Sequence, residues 1–212
     1  MGFVVKEIFY TIQGEGFHVG RPAVFCRFSG CNLWSGREVD RAEAKCRFCD
    51  TDFLGTSILG GGFEDAKALV HAICSAFPDY QHPGYRPYVV FTGGEPALQV
   101  TVELVQELKR HGVELGIETN GTLALPDGFD WITVSPKAGM DLAIKSGNEL
   151  KLVWPQEGIS LQDLEGLAFD YFYLQPLDYE GGAQATQQAV RTCMEYPLWK
   201  LSLQTHKLIG IP

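Results

Sequence analysis

The chain has 212 residues, 45% of them hydrophobic, with 26 acidic side chains against 17 basic ones and a net charge of -9; that length buries one sizeable core, and an acidic chain with no Lys or Arg stripe excludes phosphate-backbone binding, so no nucleic acid is expected as a partner. Met1 to Tyr10 has neither a basic n-region nor a long apolar h-region, and no segment approaches a membrane span. Six cysteines without a secretory signal speak for metal or catalysis over disulfides, so the expectation is one cytoplasmic domain, residues 1–212, with no membrane partner.

Strand-like and helix-like segments alternate, which predicts a mostly parallel sheet with helices outside it. Ala23–Ser29 reads as a strand. The glycine run Gly60–Gly62 reads as a loop. Glu64–Phe77 reads as a helix with Ala66, Leu69, Val70, Ile73 and Phe77 on one stripe. Tyr88–Thr92 is a buried strand, Pro96 opens a helix through His111, and Gly112 stops it. Strands follow at Glu114–Glu118, Trp131–Ser135, Leu150–Trp154 and Tyr171–Gln175. A helix runs from about Ala183 to Glu195, and Trp199–Gln204 is a last strand. The connection Asn120 to Asp130 is short and rich in Gly and Pro, so not every strand gains a long helix. The expected fold is α/β, a partial (truncated) TIM-like barrel of mostly parallel strands with few outer helices.

Cys31, Cys46 and Cys49 precede a Thr92-Gly-Gly-Glu-Pro96 turn. Thiolates are the ligands that iron–sulfur clusters select, and Cys46-x-x-Cys49 chelates from one turn of chain while Cys31 closes the site from a distance. Three thiolates on a four-iron cluster leave one iron open to a cofactor or substrate. Recruiting Cys26 as a fourth ligand would instead make a zinc module. A strand rises roughly 3.3 Å per residue, which sets Cys26 back from Cys31, and the core is its better place. Cys74 and Cys193 fall inside helices. Gly93-Gly94-Glu95 follows a buried strand at the carboxyl edge of the sheet, where glycines let backbone approach a ligand closely. An ordinary strand-to-helix turn reads equally from those residues alone.

The chain resembles the radical S-adenosylmethionine enzymes, whose usual cysteine spacing is C-x3-C-x2-C. Here the first gap, Asn32 to Lys45, is fourteen residues. That expanded gap is similar to one found within the 7-carboxy-7-deazaguanine synthases, as are Phe9 to Gly16, Arg27 to Asn32, Cys49 to Thr51, Thr92 to Pro96, Glu118 to Gly121, Ser135 to Lys137 and Leu203 to Lys207. The resemblance implies a 4Fe-4S cluster on Cys31, Cys46 and Cys49, with S-adenosylmethionine on its open iron. It implies Mg2+ at Thr51. Residues on the cofactor side would be Phe48, Asp50, Gly94, Glu95, Glu118, Ser135, Pro136, Lys137, Gln175, Pro176, Leu177 and Asp178. The implied reaction converts a small-molecule pterin, 6-carboxy-5,6,7,8-tetrahydropterin, to 7-carboxy-7-deazaguanine with loss of ammonia, begun by a 5'-deoxyadenosyl radical. A flavodoxin-like or other one-electron donor and a homodimer belong to the same implication.

A pterin carboxylate in an acidic chain needs a cation, and Arg27, on the strand leading to the cluster, offers a two-pronged one. Gln13 and Glu15 frame Gly14 in a loop suited to reading pterin nitrogens. Ile12, Thr92, His206 and Pro212 are substrate contacts by resemblance. A glycyl-radical-enzyme activase and a non-enzymatic zinc-binding module remain as other readings of the same cysteines.

Overall fold

The computed structural model describes residues 2–178 and 182–212. One nine-stranded sheet runs through it, in the order β3-β1-β2-β4-β5-β6-β7-β8-β9. The first three strands in the chain are β1 (Phe3–Ile12), β2 (Pro22–Phe28) and β3 (Gly61–Phe63). They are followed by β4 (Tyr88–Gly93), β5 (Glu114–Thr119), β6 (Trp131–Val134), β7 (Ser146–Trp154), β8 (Ala168–Pro176) and β9 (Trp199–Leu201). β1 pairs antiparallel with β2 and β3, whereas every neighbouring pair from β2 to β9 is parallel. β3 and β9 remain separate edges, so the barrel is open.

Helices α1 (Ala66–Ser75) and α2 (Val102–Arg110) pack at the β1–β5 end. The short α3 (Leu161–Glu165) and the longer α4 (Gly182–Glu195) cover β6 to β9. Leu69, Val70 and Ile73 put the expected stripe of α1 into the core, and Asp65 caps that helix by accepting from the Ala68 N–H at 2.8 Å. No helix among the described residues is long and apolar enough to cross a membrane.

The structure departs from the sequence reading at four places. The helix expected from Pro96 to His111 is split into a 3-10 turn at Pro96–Leu98 and α2. Thr101 starts a new helix by capping Leu104 N at 3.2 Å, while the side chain of Gln99 reaches away to Val4 N (2.7 Å) and the Ser29 carbonyl (2.8 Å). The glycine run is not wholly a loop: Gly61 and Gly62 form β3 with Phe63, pairing with Val5 and Val4. β1 itself escapes simple alternation because its register shifts between Val5 and Glu7. The last strand ends at Leu201, and the chain then forms α5 (Thr205–Ile209).

Candidate active site

The parallel strands end on a common rim, and there a cavity of about 370 Å³ opens. β2 delivers Arg27 to it, β4 delivers Thr92, β5 delivers Glu118, and β8 delivers Gln175 and Pro176. The loops beyond supply Ser135, Lys137, Leu177 and Asp178. Cys31, Cys46 and Cys49 border one side with Phe48, Asp50 and Thr51. Ile12, Gln13, Gly14, Glu15, His206 and Pro212 border another. Of the candidates only Glu95 and Pro136 stay out of the lining.

Glu95 is fully buried, and its carboxylate is taken up by protein donors. It accepts from Ala97 N at 3.0 Å, from the Thr119 hydroxyl at 2.6 Å and from Asn120 N at 2.8 Å, joining β4 to β5. Burial raises its pKa, although these donors and Lys137 pull it back. The glycines beside it serve a close approach, but to protein: a Cβ on Gly94 would collide with the Gly30 carbonyl. Gly94 N donates to the Phe28 carbonyl at 3.1 Å and Glu95 N to that of Gly30 at 2.9 Å, which holds the loop of Cys31 against the end of β4.

The donor set is three thiols on one cavity. Cys26 has no exposure, sits in the core on β2, and has its thiol pKa pushed well up by burial. Cys46 and Cys49 share a hydrogen bond that holds Cys49 down to about 6 and pushes Cys46 up; Thr51 N–H adds to the stabilisation of the Cys49 thiolate, the ligating form. Among the described residues no three or more His, Cys, Asp or Glu side chains gather tightly enough to hold one metal ion. The fit to a cluster therefore rests on donor chemistry: soft sulfur ligands facing open space, with half-buried Lys137 close enough to feel their charge. Burial lowers the Lys137 pKa and the thiolates raise it; its Nζ donates to the Ser135 carbonyl at 2.7 Å and hydroxyl at 2.8 Å.

Lys151, which also lines the cavity, was missed in the sequence. A lysine inside an otherwise apolar run, Leu150 to Val153, is the signal that pointed to it. Its Nζ lies 2.5 Å from Glu15 Oε2 and 3.2 Å from Glu118 Oε2. Glu118 also accepts from Gln13 Nε2 at 2.9 Å, so it belongs to this group. Gln175 (3.2 Å) and Gln204 (3.0 Å) both donate to Glu15 Oε1. Burial opposes charge on Glu15, yet Lys151, Gln204 and the nearby His206 leave its pKa lowered.

Arg27 does not face a ligand with its whole guanidinium, because its Nε donates to Glu7 Oε1 at 2.8 Å. No side chain among the described residues bonds its Nη atoms. The tail closes the rim: Thr205 N and hydroxyl donate to the Gly14 carbonyl at 2.9 and 2.8 Å, and His206 lies where a Cβ on Gly14 would be. Lys207 Nζ joins Asp50 (2.6 Å) to Asp178 (2.5 Å).

Three thiols at the carboxyl edge of an open parallel sheet, around a cavity with room for a small molecule, define a radical S-adenosylmethionine enzyme. The chain is 60% identical over 216 residues to the 7-carboxy-7-deazaguanine synthase of Nitratidesulfovibrio vulgaris and 53% identical over 212 residues to that of Bradyrhizobium diazoefficiens, covering 100% of each chain. It belongs to the 7-carboxy-7-deazaguanine synthase family. The solved structure of QueE from Escherichia coli matches with a TM-score of 0.69 at 27% identity, over 96% of this chain and 94% of that one. No family model matches the chain.

Proposed function

We propose that the chain, working as one domain, converts 6-carboxy-5,6,7,8-tetrahydropterin to 7-carboxy-7-deazaguanine with loss of ammonia. The observation that carries this reading is one cavity lined by three thiols together with Arg27, Glu15, Glu118 and Lys151. Bound there, the 4Fe-4S cluster and S-adenosylmethionine would supply one-electron chemistry able to take a hydrogen from the substrate.

The chain's own residues bind, orient and shield. Cys31, Cys46 and Cys49 hold the cluster. Gly94, Ser135, Lys137 and the Gln175–Asp178 segment line the cofactor side. The Nη edge of Arg27 takes the substrate carboxylate, Glu7 fixing its far edge. Gln13, Glu15 and Glu118, held as a unit by Lys151, present acceptors and an amide to the pterin ring. Thr51 offers a hard oxygen for Mg2+, a cation that keeps most of its own waters and leans on the substrate. The tail, from Gln204 to Pro212, excludes water from the rim. A flavodoxin-like or other one-electron donor, a homodimeric assembly and a cytoplasmic setting complete the reading.

The test is anaerobic reconstitution with iron and sulfide, followed by incubation with S-adenosylmethionine, a reductant and the carboxylated tetrahydropterin. The expected outcome is a brown protein that releases the deazaguanine and ammonia in equal amounts. A colourless zinc-loaded protein, or cofactor cleavage only when a partner polypeptide is added, would refute it.

A further inference from the structure

The fourteen residues between Cys31 and Cys46 are folded back on themselves. The Leu33 carbonyl accepts from Lys45 N at 2.9 Å and from Cys46 N at 3.4 Å. The chain thus leaves at Leu33 and returns at Lys45. Along the hydrogen-bonded path only Asn32, Leu33 and Lys45 separate the two cysteines, the same three-residue interval as in the usual spacing. The detour carries its own peg. Trp34 is buried edge-on against Phe53, ring centres 5.5 Å apart, and its indole N–H donates to the Arg37 carbonyl at 3.2 Å.

One side chain ties the detour to the other cysteines. Arg41, in the 3-10 turn Glu38–Glu43, lies 4.1 Å over the Trp34 ring. Its Nε and Nη2 pair with Glu38, and its Nη1 donates to the carbonyls of Arg47 (2.9 Å) and Cys49 (3.1 Å). Its side chain is 29% exposed, against 73% for Glu38, so the cation is the less hydrated partner and solvent screens the anion more. The geometry points to Arg41 as a positioning residue for the cluster: it latches the Cys46–Cys49 turn in place and sets a permanent positive charge beside it. Reduction adds an electron to the cluster, and a fixed cation nearby favours that more negative form, which raises the potential. The inference rests on the cluster reading above.

The test uses the full chain, reconstituted anaerobically, as wild type and as Arg41→Ala, Arg41→Lys and Arg41→Gln. Iron per chain, the rate of iron loss to a chelator, and the midpoint potential from a spectroscopically followed redox titration are measured. Outer-shell partners of a metal site typically govern retention by about 10- to 100-fold, so Arg41→Ala should lose iron faster by that factor. Its potential should also fall. Lys keeps the charge and should recover the potential more than the retention, since one ammonium cannot hold the two carbonyls and at the same time present the separate Nε and Nη2 that pair with Glu38. Gln should leave the potential low. An unchanged potential in Arg41→Ala overturns the assignment whatever its iron retention, because a merely structural role would leave the potential alone. Should Arg41→Ala load no iron, equal potentials in the Lys and Gln variants overturn it. A wild-type chain that loads no iron sinks the cluster reading, and this proposal with it.

Discussion

Lys151 Nζ stands 2.5 Å from Glu15 Oε2 in an ion pair with side-chain exposures of 5% and 13%, the most enclosed pair in the described structure to border the cavity. Around it lie two further carboxylates, Glu118 and Glu149, whose charge pushes the Lys151 pKa up against burial. Removing the cation would leave acids gathered in a low-dielectric floor. Lys151→Met should therefore destabilise the fold by about 3 to 5 kcal/mol, the usual cost of breaking a buried pair from one side. Urea melts at pH 7 would read this. A loss under 1 kcal/mol would mean that the carboxylates simply take up protons.

Glu149 yields a pH dependence of definite sign. It is buried beneath the loop of Phe17, whose N–H donates to its Oε2 at 2.9 Å, and burial raises its pKa from 4.5 to about 7. A carboxyl whose folded pKa is raised holds its proton better in the native state. Its contribution is then present in acid and lost as pH climbs from the unfolded value through about 7. Glu149→Gln should remove this decline, on the order of 3 kcal/mol across that interval, while its amide oxygen still accepts from Phe17. Parallel stability-against-pH curves for the two proteins would contradict it.

The thiols separate cleanly. Alanine at Cys31, Cys46 or Cys49 should abolish cluster assembly, whereas Cys26→Ala should retain a full complement of iron and lose only packing. Iron counting after anaerobic reconstitution decides this, and equal loss in the Cys26 variant would bring back a four-thiolate centre.

Arg27→Ala should raise the apparent KM for the carboxylated pterin by roughly 150- to 5000-fold, the equivalent of about 3 to 5 kcal/mol for an unpaired carboxylate in a shielded site. Lys should rescue partly. Glu7→Gln should fall between wild type and Arg27→Ala, because it frees the far edge of the guanidinium without removing the near one. Equilibrium titration showing undiminished affinity in Arg27→Ala would leave Arg27 as a partner of Glu7 alone.

Thr51→Ala should weaken the dependence of turnover on Mg2+ while cofactor cleavage without substrate continues. Its backbone N–H, which supports the Cys49 sulfur, survives the substitution. Cleavage and product formation falling together, with the Mg2+ response intact, would speak against a metal role for the hydroxyl.

Much of the site was legible because short motifs sit on strand ends, and strand ends of a parallel sheet share one rim. Cys31, Thr92, Glu118, Ser135 and Gln175 come together for that reason, and each motif could be read locally. What escaped depended on contacts distant in sequence. The claim of Thr119 and Asn120 on the Glu95 carboxylate has no local signal. β1 hides behind its bulge. Lys151 reads as a mid-strand anomaly until Glu15, 136 residues away, arrives beside it. The split between Pro96 and Val102 depends on Gln99 reaching strand ends that the local sequence does not contain.

Trp34 gives the protein an optical gauge. It lies three positions beyond Cys31, 7% exposed, roofed by Arg41 and braced by Phe53. Iron–sulfur chromophores absorb broadly across the range in which indole emits, so a filled site should darken this fluorophore and an emptied one should brighten it. Replacing Trp34 by Phe would separate its share of the signal from that of Trp131, Trp154 and Trp199. Cluster loading and loss can then be followed in real time, in a sealed cuvette, without adding a dye.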